Sequence, residues 1–112
     1  MRVADVALPS RVDATTSSDV RYALQVARDA TLDQMVLVDA SSVEVIDVAG
    51  LGVLVGAHRR CLQEGKRLVF CDPKPSIVRL FALTRLHRVL QLNRDTAARG
   101  VTDEEQPVHL AG

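Results

Sequence analysis

His58 and Cys61 stand three residues apart, close enough on a helix for an imidazole and a thiol to meet. A nucleophilic pair of that kind needs exposure, an orienting group and a cleft. Both instead share a spacing with the apolar residues between Leu51 and Leu62, which makes packing the better reading. A zinc site takes about four ligands, and His58, Cys61, Cys71 and His87 are not grouped by any zinc-like spacing. Gly50, Gly52 and Gly56 give G-x-G-x-x-x-G, the wrong spacing for a dinucleotide loop, and the following strand has no acid suited to a ribose. Close packing of helix on sheet is the expected use of these glycines. The most informative carboxylate is Asp47, at the point where an apolar run stops and a helical pattern begins. Such a junction displays polar or reactive groups, yet the next two residues are Val48 and Ala49, which can react with nothing. Asp47 reads as a partner contact, as a helix N-cap worth about 1 kcal/mol, or as both. Asp13 has the same two readings, with the cap for its own turn favoured. No catalytic group, metal ligand set or cofactor is expected.

The elements that would position these residues follow from periodicity. Val3–Leu8 reads as a strand ended by Pro9. Thr15–Ser18 supplies capping hydroxyls and Asp19 a first-turn acid for a helix over Ser18–Ala30. Met35–Asp39 is a short apolar run, as in a strand buried on both faces. Val45 and Ile46 form a brief apolar return that ends at Asp47. A second helix follows, with Leu51, Leu54, Val55, His58, Cys61 and Leu62 on its inner face and Gly65 as a left-handed stop. Arg67–Cys71 is the next strand. Pro75 opens a third helix with Ile77, Leu80, Phe81 and Thr84 inward, and Arg88–Leu92 closes as a short strand. One helical turn is expected around Thr96–Arg99, and residues 100–112 read as a mobile tail after a single domain over residues 1–99. Alternation of strand and helix predicts an α/β fold, with a mostly parallel sheet of about four strands packed with helices.

Composition narrows the function classes. The 112 residues carry a formal net charge of zero, so there is no global case for nucleic acid. The basic set Arg59, Arg60, Lys66, Arg67, Arg79, Arg85 and Arg88 has no interleaved aromatics, and only 3% of the chain is aromatic. Residues 1–50 hold 4 basic and 8 acidic side chains and residues 51–112 hold 10 and 6, a polarity of −4 and +4 that suits a protein partner. No segment approaches the ~20 apolar residues of a membrane span, and Met1–Ser10 lacks the apolar stretch of a signal peptide. A cytoplasmic protein with reduced thiols at Cys61 and Cys71 is expected.

Several stretches form an ordered pattern. Val36–Asp39, then Val45-Ile46-Asp47, then Gly50–Leu54 are followed by Gly65–Val69, Pro75–Phe81 and Leu83–Leu86. Upstream, Leu8–Asp13 looks like a "G-x-hydrophobic-D" turn with Ser10 in place of Gly. The set resembles the STAS domain of bacterial anti-sigma factor antagonists. That resemblance implies a partner, an anti-sigma factor that is itself a serine kinase-like ATPase, bound through Asp13, Asp47, Val48, Ala49, Gly50 and Leu51. It also implies a switch: the kinase phosphorylates a Ser or Thr just after the loop aspartate, and the phosphate weakens the complex. Here Val48 stands at that position and Ala49 at its neighbour, so no phosphorylation is expected there; Ser41 and Ser42 lie one loop earlier. The family usually has two N-terminal strands where this chain has room for one, so the pair is expected to be shortened. An open edge could then serve a homodimer or larger assembly as the alternative function. Arg85 stands where the family usually has Gly, at a cost of about 1 kcal/mol if φ is positive.

Overall fold

The computed structural model describes residues 3–86 and 91–93. Nine elements run in the order β1 (Val6–Ala7), β2 (Arg11–Val12), α1 (Ser17–Ala30), β3 (Met35–Asp39), β4 (Val45–Ile46), α2 (Val48–Gln63), β5 (Arg67–Cys71), α3 (Pro75–Leu83) and β6 (Gln91–Asn93). The expected α/β architecture is present. Four strands form a sheet in the order β1-β3-β5-β6, and every pairing described is parallel.

The N-terminal segment differs from the expectation of a single strand. It makes two strands of two residues each, and they join different sheets. β1 pairs with the edge of β3, whereas β2 pairs with β4 in a separate two-stranded sheet. Pro9 separates them, and neither is long enough to show an alternation in sequence. The Arg88–Leu92 strand is found as Gln91–Asn93, and residues 87–90 lie outside the described residues. The expected turn at Thr96–Arg99 and the tail at 100–112 also lie outside them.

Helix ends are set by local chemistry. Asp47 caps α2, accepting from the Gly50 amide at 2.9 Å. At the other end Gly65 adopts φ 73°. There the Lys66 amide donates to the Cys61 carbonyl and the Gly65 amide to Leu62, the pair of bonds of a Schellman stop. Lys66 then turns its ammonium onto the end of α1, donating to the carbonyls of Arg28 at 2.6 Å and Thr31 at 3.1 Å. A cation there matches the partial negative charge of a helix C-terminus.

The main core lies between the helices and one face of the sheet. Val36, Val38, Leu68 and Phe70 point into it from the strands and meet Leu24, Leu54 and Phe81. Phe70 and Phe81 pack edge to face, with ring centroids 6.1 Å apart. Leu37, Val69 and Cys71 alternate with these on the strands and form a second, smaller cluster.

Two inner faces are shifted from the expected ones. On α2 the buried set is Gly50, Val53, Leu54, His58 and Cys61, while Leu62 is 54% exposed. The shift arises because α2 packs on α1 as well as on the sheet, which turns its buried arc toward Gly50 and Val53. On α3, Val78 is buried beside Ile77 and Phe81, and Thr84 is exposed at the C-cap.

Candidate functional site

The Asp13 and Asp47 turns leave the carboxyl ends of two neighbouring parallel strands, β2 and β4, whose pairing sets Arg11 opposite Val45 and Val12 opposite Ile46. Each turn opens a helix, α1 after the first and α2 after the second. Chain connectivity thus places both helix N-termini at one end of the small sheet, the end where ligands and partners meet parallel strands.

Asp47 ties the two turns together. Its amide donates to the Val12 carbonyl at 3.2 Å. One carboxylate oxygen accepts from Gly50 and the other from the Ala14 amide at 3.3 Å. The N-cap reading therefore holds, and the same side chain reaches across to the first turn.

Asp13 serves its own turn. It is 7% exposed. Its Oδ1 accepts from the Thr15 hydroxyl at 2.6 Å and from the Thr15 and Thr16 amides. Its Oδ2 accepts from Arg11 Nε at 3.1 Å. The Thr15 hydroxyl does most to hold the Asp13 carboxyl below its ordinary range; burial opposes this, and Arg11 and the two amides add to the lowering. The capping hydroxyls expected for α1 act differently: Thr16 is the N-cap by position but makes no side-chain cap bond. Its Oγ1 accepts from the Asp13 amide instead.

Gly50 explains how closely α2 approaches. A Cβ there would lie 2.0 Å from the Val12 carbonyl oxygen, so only glycine lets the helix meet the β2 backbone. The packing role expected of the glycines belongs to Gly50 alone among the three, because a Cβ on Gly52 or Gly56 meets nothing within 4 Å. Val48, by contrast, is 84% exposed. Ala49 is exposed and Leu51 half-buried, so the first turn of α2 offers an apolar surface beside Asp47.

The other sequence candidates fall elsewhere. His58 and Cys61 are buried inside α2's packing face. Burial first, and then Arg67, keeps the His58 imidazole below its usual pKa; burial pushes the Cys61 thiol up. Neither shift favours a nucleophile. Cys71 is buried in the second cluster with Leu37 and Val69. Among the described residues no group of three or more His, Cys, Asp and Glu could hold a metal ion, and no helix is long and apolar enough to cross a membrane. His87 lies outside the described residues.

The STAS domain family profile matches residues 2–98. The chain belongs to the STAS domain family. Its relatives within the family include the anti-sigma-B factor antagonist of Listeria monocytogenes, 32% identical over 89 residues that cover 79% of this chain and 76% of the relative. The anti-sigma F factor antagonist of Paenibacillus polymyxa is 25% identical over 100 residues, 89% of this chain and 85% of the relative. The fold matches the crystal structure of a Thermotoga maritima protein provisionally described as an anti-sigma factor antagonist. There the TM-score is 0.68 at 18% identity, over 97% of this chain and 92% of that one. The chain is thus a STAS module of the anti-sigma factor antagonist kind. What sequence reasoning missed at its site is β2 and its pairing with β4, since two-residue strands leave no periodic signal.

Proposed function

We propose that this STAS domain is a cytoplasmic, non-catalytic binding module that sequesters an anti-sigma factor of the serine kinase type. The contact surface is the first turn of α2, from Asp47 through Val48, Ala49 and Gly50 to Leu51, beside the turn that Asp13 shapes. The observation that carries this reading is Val48: an apolar side chain 84% exposed at the N-terminus of a well-capped helix, next to a second side chain with no hydroxyl. A helix N-terminus tolerates a phosphate electrostatically. A phosphoryl group at position 48 would therefore act on the partner rather than on the fold. With valine there the binding-competent surface is permanent, and control passes to expression or to another input.

The test is binding of wild type and Val48→Ser to the source organism's candidate anti-sigma kinases, with and without ATP. Wild type is expected to bind in both conditions. Val48→Ser is expected to bind without ATP, and to become phosphorylated and lose at least about tenfold in affinity with it, which corresponds to about 1.4 kcal/mol. Failure of both proteins to bind any such kinase overturns the antagonist reading. The second reading is a homodimer or larger assembly through β1, which among the described residues has a neighbouring strand on one side only. Its two residues make a short edge, the form in which native sheets discourage such pairing. A dimer at micromolar concentration in light scattering, without kinase binding, would favour it.

A further inference from the structure

Beside the docking turn, helices α1 and α2 leave a groove of about 330 Å³ between them. From α1 it is lined by Arg21, Gln25 and Arg28, and from α2 by Gly52, Gly56 and Arg60. Both rows follow helical spacing, so at 1.5 Å per residue the groove extends about 10 Å along the helices. Gly52 lies one turn after Val48 on the same face of α2, which sets the groove next to the proposed contact surface.

The charge of this groove is one-sided. Three guanidinium groups line it, with no carboxylate among the described lining residues. Arg28 is buried and its charge is answered by the carboxylates of Glu64, 3.2 Å from its Nε, and Asp29, 3.8 Å from it, so the net positive charge of the groove comes from Arg21 and Arg60. Arg21 and Arg60 are exposed, and neither makes an ion pair with another described residue. The two glycines are equally unused by the fold. Each weakens the helix relative to alanine. Unlike Gly50, each has open space where a Cβ would stand. They leave the α2 backbone bare at the floor of a positively charged slot.

Resting on the antagonist reading above, we propose that this groove receives an extended acidic segment of the protein partner, its Asp or Glu carboxylates pairing with Arg21 and Arg60 while its backbone lies over Gly52 and Gly56. The length of the groove and the spread of its arginines fit a peptide segment better than a single ion. The apolar Val48–Leu51 turn then supplies contact area, and the groove supplies selection by charge.

The first probe is a hexaglutamate peptide at low ionic strength, where surface charge is least screened, with hexaglutamine as control. Binding is read from the amide signals of Gly52 and Gly56 in NMR spectra. Hexaglutamate is expected to shift both signals and hexaglutamine neither. The double variant Arg21→Glu/Arg60→Glu is expected to weaken peptide binding by at least about tenfold. Gly56→Leu replaces a poor helix former with a good one, so it is expected to keep or raise Tm while filling the groove and weakening the peptide to a similar degree. Equal peptide affinity in wild type and both variants overturns the inference. So does full competition by sub-millimolar inorganic phosphate, which would assign the groove to a small anion. The anti-sigma kinase separates the two readings. If it binds wild type and both variants alike, the groove inference fails and the antagonist reading stands. If no kinase binds but hexaglutamate does so in a variant-sensitive way, the antagonist reading fails and the charge selectivity of the groove stands.

Discussion

Gly50 is held against the backbone of Val12, and its lack of a side chain is the condition for the site. A Cβ would meet the Val12 carbonyl oxygen at 2.0 Å and its carbon at 2.7 Å. Backbone atoms paired in a sheet cannot retreat as a flexible side chain can, so Gly50→Ala is expected to cost at least about 2 kcal/mol. Gly52→Ala, where nothing stands within 4 Å, is expected to gain up to about 1 kcal/mol. Urea midpoints of the two variants check this, and equal midpoints would contradict the close approach. At this scale the sequence was partly legible. Asp47 as a cap could be read from its place before a helical pattern, because capping acts within three residues. That Gly50 differs from Gly52 and Gly56 could not, because all three look alike until Val12 is in place beside one of them. Asp13 was legible as a turn residue, but its engagement by Thr15 and Arg11 depends on how the turn folds back.

The third helix shows how an element can end under strain. Its C-cap is Thr84, and the next residue, Arg85, takes φ 64°, the left-handed region in which a Cβ is crowded. The Arg85 amide still closes the turn by donating to the Ala82 carbonyl at 3.1 Å, so the conformation is fixed by the chain reversal and not by the residue. Arg85→Gly is expected to stabilise the domain by about 1 kcal/mol. Thermal unfolding should show a Tm higher by several degrees, since 1 kcal/mol moves the Tm of a domain near this size by about 4–8 °C. An unchanged or lower Tm would mean that Arg85 makes compensating contacts. The strain was foreseeable from the family resemblance, which puts a glycine where Arg85 stands, and left-handed helix stops favour glycine. The contrast is α2, where Gly65 meets the same demand without a Cβ.

The whole molecule joins its acid sensitivity to its core. His58 is buried on α2, and its folded pKa lies below the ordinary 6.5, from burial first and Arg67 second. The unfolded chain therefore takes up this proton first. The stability due to a neutral His58 is present above pH 6.5 and is lost as pH falls below it. Asp13 adds a second acid step. Its carboxyl is also lowered in the fold, so its contribution is present above 3.8 and fades below that value. Urea midpoints measured from pH 7.5 down to 5 are expected to decline in wild type. His58→Leu should decline less, and parallel curves would show that His58 stays solvated. Sequence alone determined the local features: three helices, the strands β3 and β5, the caps at Asp47 and Gly65, the start at Pro75, and the absence of a hydroxyl at Val48. These rest on spacing and side-chain chemistry that act within a helical turn or a strand's alternation. Tertiary structure alone decided that β2 pairs with β4, which sets Ala14 on Asp47 across 33 residues of chain. It also decided that α1 and α2 face each other across Arg21 and Arg60. A pairing of two-residue strands has no period to read, and a groove belongs to neither of the helices that form it.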